Sequence, residues 1–87
     1  MKLEVRLFGP LRPCAPGSVI LVEIEDGAAA GAAREAVARA LETAGAPGAR
    51  GLVARAVLAT EDELLSDDAP LGATVRSLAL LPPVCGG

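Results

Sequence analysis

At 87 residues the chain suits one domain and no more. A domain that small buries only about 60 to 65 % of the surface its unfolded chain exposes, which leaves little room for a deep internal active site. With 52 % hydrophobic and 22 % charged residues the composition is globular, and a formal net charge of −3 argues against nucleic acid, whose phosphates need clustered Lys and Arg.

A mildly acidic surface favours a basic partner and is equally ordinary among soluble proteins. Two cysteines, Cys14 and Cys85, make neither a disulfide framework nor a metal site. Without histidine or a Cys-x-x-Cys spacing, no metal site is expected, and general acid–base schemes lack their usual residue. Lys2 and the alternating charges after Met1 are unlike a signal peptide, and no run approaches the roughly 20 apolar residues of a membrane span. A cytoplasmic protein with reduced thiols and no membrane partner is the expectation.

Residues 2–8, Lys-Leu-Glu-Val-Arg-Leu-Phe, alternate polar and apolar as a half-buried strand does. Leu3, Val5 and Leu7 are expected to face the core, with Lys2, Glu4, Arg6 and Phe8 opposite. Gly9, Pro10, Pro13, Pro16 and Gly17 predict a loop, because proline lacks the amide hydrogen a central strand needs. Residues 18–25 read as a second strand completing a hairpin. From about Ala30 to Ala44 the spacing turns helical: Ala33, Val37, Ala40, Leu41 and Ala44 share a stripe, with Arg34, Glu35, Arg39 and Glu42 largely outside it. Glu35 and Arg39 stand four apart in the favourable order. No Ser or Thr marks the helix start, although Asp26 is placed to cap an earlier turn; Gly45 and Pro47 mark its end. The apolar run over 52–59 reads as a third strand, Leu64 and Leu65 as a short edge strand, Pro70 and Leu71 as a tight turn, and 75–81 as the last strand. The expected fold is α+β: one main helix packed on a mixed sheet, a domain over 1–81 and an extended tail over 82–87.

The chain ends Leu81-Pro82-Pro83-Val84-Cys85-Gly86-Gly87. Adjacent prolines hold the backbone extended, and glycines enter a narrow channel at low steric cost. A frayed terminus is the ordinary explanation of such an end. Terminal Gly-Gly arises by chance in roughly one chain in 200, however, and here it follows a Pro-Pro extension beyond a predicted strand. A carboxylate becomes electrophilic only when its oxygen is converted to a good leaving group, as adenylation would do. With no phosphate-binding loop of its own, the chain reads as the substrate of such a step rather than its catalyst.

The ending Leu-Leu-Pro-Pro-Val-Cys-Gly-Gly resembles that of the small subunit of molybdopterin synthase, a MoaD/ThiS-like sulfur carrier with the ubiquitin-like β-grasp fold. Val5 to Arg12, Val-Arg-Leu-Phe-Gly-Pro-Leu-Arg, resembles the first strand and turn of that family. Two departures are visible. Val75-Arg76-Ser77 stands where the family usually has a Gly-Asp-Glu turn, and Leu81 stands where an aromatic often precedes Pro-Pro.

The resemblance implies that an E1-like adenylyltransferase activates Gly87 with ATP and Mg²⁺. A sulfur donor such as a cysteine desulfurase or rhodanese then supplies sulfur for a thiocarboxylate. The tail inserts into the large synthase subunit, in a heterotetramer, and the sulfur enters the dithiolene of molybdopterin. Gly87 would be the reacting residue of a non-catalytic, sulfur-donating subunit that binds no cofactor of its own. Pro82, Pro83, Val84, Cys85 and Gly86 would line the partner channels, and Leu64 would join Leu81 and Phe8 as a contact.

From the residues alone, Phe8 is the sole aromatic, and with Leu81 it forms either an outward apolar patch or a cover for the sheet edge and proline loop. Leu78 and Leu80 face inward. Cys85 reads as a small channel-filling residue, with sulfur-bearing or disulfide roles as alternatives; Cys14 has no assigned role. The acidic set Glu61, Asp62, Glu63, Asp67 and Asp68 reads as a solvated turn region or a docking rim. Alternatives to the molybdopterin carrier are a carrier for thiazole or another sulfur metabolite, a ubiquitin-like protein modifier, and an interaction module with an idle tail.

Overall fold

A computed structural model of the chain describes residues 1–46 and 48–83. Strand β1 (Lys2–Leu7) pairs antiparallel with β2 (Val19–Glu23), completing the expected hairpin. Helix α1 (Ala30–Thr43) crosses over, and a second helix, α2 (Ala49–Arg55), follows. Three more strands, β3 (Val57–Ala59), β4 (Leu64–Leu65) and β5 (Ser77–Leu81), complete a sheet of order β2-β1-β5-β3-β4. β5 lies parallel to β1 and antiparallel to β3. The sheet is therefore mixed, with the last strand at its centre.

Alternation decides the two faces. Leu3, Val5, Leu7, Leu58, Leu78 and Leu80 are buried and pack with Val37, Leu41 and Val53 from the helices. On α1 the buried positions are Ala30, Ala33, Val37, Ala38 and Leu41, so the stripe is rotated from expectation: Ala38 is inside and Ala44 is exposed. The helix ends in a Schellman motif, with the amides of Gly45 and Ala46 donating to the carbonyls of Glu42 and Leu41. Gly45 takes φ 92°, a conformation cheap only for glycine. Pro47 lies outside the described residues.

Other expectations need correction. The loop after β1 is wound into 3-10 turns over Gly9–Cys14 and Pro16–Ser18, which bury Leu11. The first part of the run over 52–59 is helical, because Ala49 and Val53, four apart, both turn into the core; only Val57–Ala59 is strand. Arg34 is not an outward residue: its side chain is only 17 % exposed and reaches the end of α2. The Asp26 carboxylate, placed by the sequence to cap an earlier turn, lies instead 2.9 Å from the Met1 ammonium. The start of α1 is satisfied by backbone, with the amides of Ala30 and Gly31 donating to the carbonyls of Ala69 and Asp67, both at 2.8 Å. That explains a helix start without a capping side chain.

Candidate functional site at the root of the tail

β5 is the central strand, so the chain leaves the sheet from its middle, past Leu81, Pro82 and Pro83. β1 ends beside it. The amide of Phe8 donates to the carbonyl of Leu80 at 3.1 Å, continuing a parallel register in which Leu7 faces Leu80. Phe8 thus stands alongside Leu81 on the outer face, and Val57 lies opposite Leu81 on the other side.

At the next residue, Gly9 has φ 62°, and a Cβ there would sit 3.0 Å from Cβ of Pro82. Only glycine serves both demands. The turn after β1 therefore grips the first tail proline and sets the direction in which the chain departs. Beneath it is a cleft of about 290 Å³ between Phe8, Pro10 and Leu11 on one side and Leu52, Ala56 and the two tail prolines on the other. Among the described residues Arg55 is its only charged wall.

The outer sheet face continues from this root. One row runs Val19, Arg6, Ala79, Ala59, Leu64 across the five strands. Ala59 is buried yet outside the core cluster, as expected for a small residue on this face between two strands. Phe8 is 40 % exposed and Leu64 70 %. Leu64 sits on β4, three strands from β1, so roughly 15 Å of sheet separates it from Phe8. The two belong to one face without touching, bridged by Ala79, Ala59, Val57 and Leu81. Leu21, 74 % exposed on β2 and facing Glu4, stands apart on the same face, divided from the root by the Glu4–Arg6 pair of β1. Sequence reasoning missed Leu21 and Val57, because each lies in a continuous apolar run whose composition does not tell the two faces apart. Val84, Cys85, Gly86 and Gly87 lie outside the described residues.

Most of the ion pairs lie away from this root. Arg34 donates through Nη1 to the carbonyls of Val53 and Ala56, at 2.5 and 2.7 Å, and through Nη2 and Nε to Oδ1 of Asp67 at 2.9 and 3.1 Å. Asp67 remains in the solvated turn, 60 % exposed, and from there bonds Arg34. On the helix flank Arg50 bonds Glu42 and Glu35, while Glu35 also meets Arg39 at 3.3 Å. The Arg50 hydrogen bond lowers the Glu42 pKa, and the same bond raises that of Arg50. The Asp26 carboxyl is lowered by its hydrogen bond from the terminal ammonium and by that group's charge. Among the described residues no cluster of three metal-binding side chains occurs, and no helix is long and apolar enough to cross a membrane.

No family model and no curated protein matches the chain by sequence. Solved structures do. The chain is similar over its whole length to all of SAMP1 from Haloferax volcanii, with a TM-score of 0.72 and 24 % identity. It is also similar, again over both whole chains, to a chain of the complex of subunits 1 and 2 of molybdopterin-converting factor from Helicobacter pylori 26695, with a TM-score of 0.57 and 27 % identity. The fold is the ubiquitin-like β-grasp. The likeness to SAMP1 shows the fold, and the second neighbour comes from a molybdopterin-converting factor complex, in line with the resemblance of the two end motifs.

Proposed function

We propose that the protein is a sulfur carrier of molybdopterin synthesis whose reacting group is the Gly87 carboxylate. The observation that carries this reading is the delivery of the tail: the central strand β5 hands it out past the Gly9–Pro82 contact at the border of an exposed apolar face. The likeness to a chain from the complex of molybdopterin-converting factor subunits supports a large-subunit partner of the same kind.

An E1-like enzyme using ATP and Mg²⁺ supplies the activation. A Gly87 carboxylate oxygen attacks the α-phosphorus of ATP, pyrophosphate leaves, and the acyl-adenylate is then open to a sulfur nucleophile. Displacement of AMP by persulfide sulfur from a desulfurase or rhodanese, followed by reductive cleavage of the S–S bond by a thiol, leaves the thiocarboxylate. This chain's own contribution is positional. Pro82 and Pro83 stiffen the start of the tail, Gly86 and Gly87 pass a narrow channel, and Phe8, Leu81 and Leu64 bind the partner's apolar surface while the tail is inserted.

Reconstitution with the large subunit and a molybdopterin precursor tests the reading. Deleting Gly87 abolishes dithiolene formation while the urea midpoint of the protein stays unchanged, since a terminal glycine carries no side chain to bury. Phe8→Asp leaves the thiocarboxylate intact and weakens binding to the large subunit by about tenfold or more. Dithiolene formation by the truncated protein would contradict the proposal, and protein conjugates joined through Gly87 in its place would favour the modifier.

A further inference from the structure

β2 lies at one end of the strand order, with β1 on one side and no strand on the other among the described residues. The pairing shows which of its backbone groups are engaged. The Ile24 amide donates to the Met1 carbonyl at 2.9 Å, and the Met1 ammonium donates to the Ile24 carbonyl at 2.6 Å. Antiparallel pairs alternate between bonded and non-bonded, so Leu3 with Val22 and Val5 with Ile20 are the next bonded pairs. Val19, Leu21 and Glu23 must then turn their amides and carbonyls outward, where no other described strand takes them up. The opposite edge, β4, is only two residues long. The molecule's longer open edge is therefore β2, and such an edge templates the addition of another strand.

An open groove of about 560 Å³ runs along this edge between β2 and α1. Val22 and Ile24 meet Ala36 and Ala40 along it, while its rim carries Glu23, Glu25 and Glu35 against a single cation, Arg39. Arg39 is already bonded to Glu35. The exposed Leu21 side chain stands on the outer face of the same strand, uncovered by any neighbour strand beyond it.

We propose that the β2 edge takes up an extended segment of a partner protein as a sixth strand, its small apolar side chains alternating over the groove and over Leu21, with Lys or Arg at its ends meeting the Glu23 and Glu25 rim. Backbone bonds to Val19, Leu21 and Glu23 give affinity, and the acidic rim selects the sign of the flanks. A second copy of this chain is the weaker occupant, because its own Glu23 and Glu25 would bring acid to an acidic edge. The site is remote in sequence from the tail and does not depend on the tail's chemistry.

The probe is a capped peptide alternating valine and threonine, with two lysines at each end, titrated into the full ¹⁵N-labelled chain. Saturable shifts are expected at Val19, Leu21, Glu23, Ala36 and Ala40, with slowed exchange of the three outward amides. The exposed double variant Glu23→Lys/Glu25→Lys retains the core amide spectrum, loses about tenfold in affinity for this peptide, and gains for a glutamate-flanked one. Three results would each overturn the proposal: no saturable shift, shifts centred on Phe8 and Leu64, or equal affinity for both peptides. Protection of the Val19, Leu21 and Glu23 amides in the free protein, with a concentration-dependent dimer, would give the edge to a second copy and overturn it too.

Discussion

Arg34 joins α1 to the end of α2 and to the 66–69 loop through one guanidinium. Its partners lie 19 to 33 residues away, so in the sequence it is indistinguishable from any solvated helical arginine. Arg34→Ala leaves two carbonyls at the α2 terminus without their charged donor and is expected to cost about 2 kcal/mol in urea unfolding. Asp67→Ala, removing the 60 % exposed partner, should cost no more than about 1 kcal/mol. Gly9 was legible only as part of a turn motif; its positive φ and its contact with Pro82 are tertiary facts. Gly9→Ala should destabilise by about 1–3 kcal/mol, again read by urea. Asp26 has its pKa lowered in the folded state, so its contribution to stability is complete above the unfolded carboxylate pKa. That contribution falls away as pH drops through the lowered folded value. Asp26→Asn should therefore reduce stability at neutral pH and flatten the acid limb of a stability–pH curve.

At the scale of elements, periodicity was informative wherever one face alone is buried. β1, α1 and β5 announce themselves this way, β2 reads as a continuous apolar run, and Leu64–Leu65 is an edge strand as its flanking acidic residues suggest. The run over 52–59 misleads because a short buried helix and a buried strand share the same apolar composition, and Ala, Val and Leu do not arbitrate between them. Gly51 offers a direct check. It sits inside α2 with open space around its missing side chain, so Gly51→Ala should raise stability by about 0.5–1 kcal/mol through helix propensity. Thermal or urea denaturation reads the gain.

At the scale of the molecule, the β-grasp places the last strand between β1 and β3, and the tail inherits its exit from that topology. The two end motifs meet in space: Phe8 and Gly9 flank Leu81 and Pro82. Strand alternation made Phe8 and Leu81 legible as outward residues, whereas the breadth of the face, from Leu21 to Leu64, depends on strand order that no local pattern encodes. In the proposed function Gly87 accepts sulfur. The most direct measurement is the intact mass of the protein after incubation with an E1-like enzyme, ATP, Mg²⁺ and a sulfur donor. Replacement of one oxygen by sulfur, lost when Gly87 is deleted, is the result expected; an unchanged mass beside an enzyme that thiolates another carrier would contradict it.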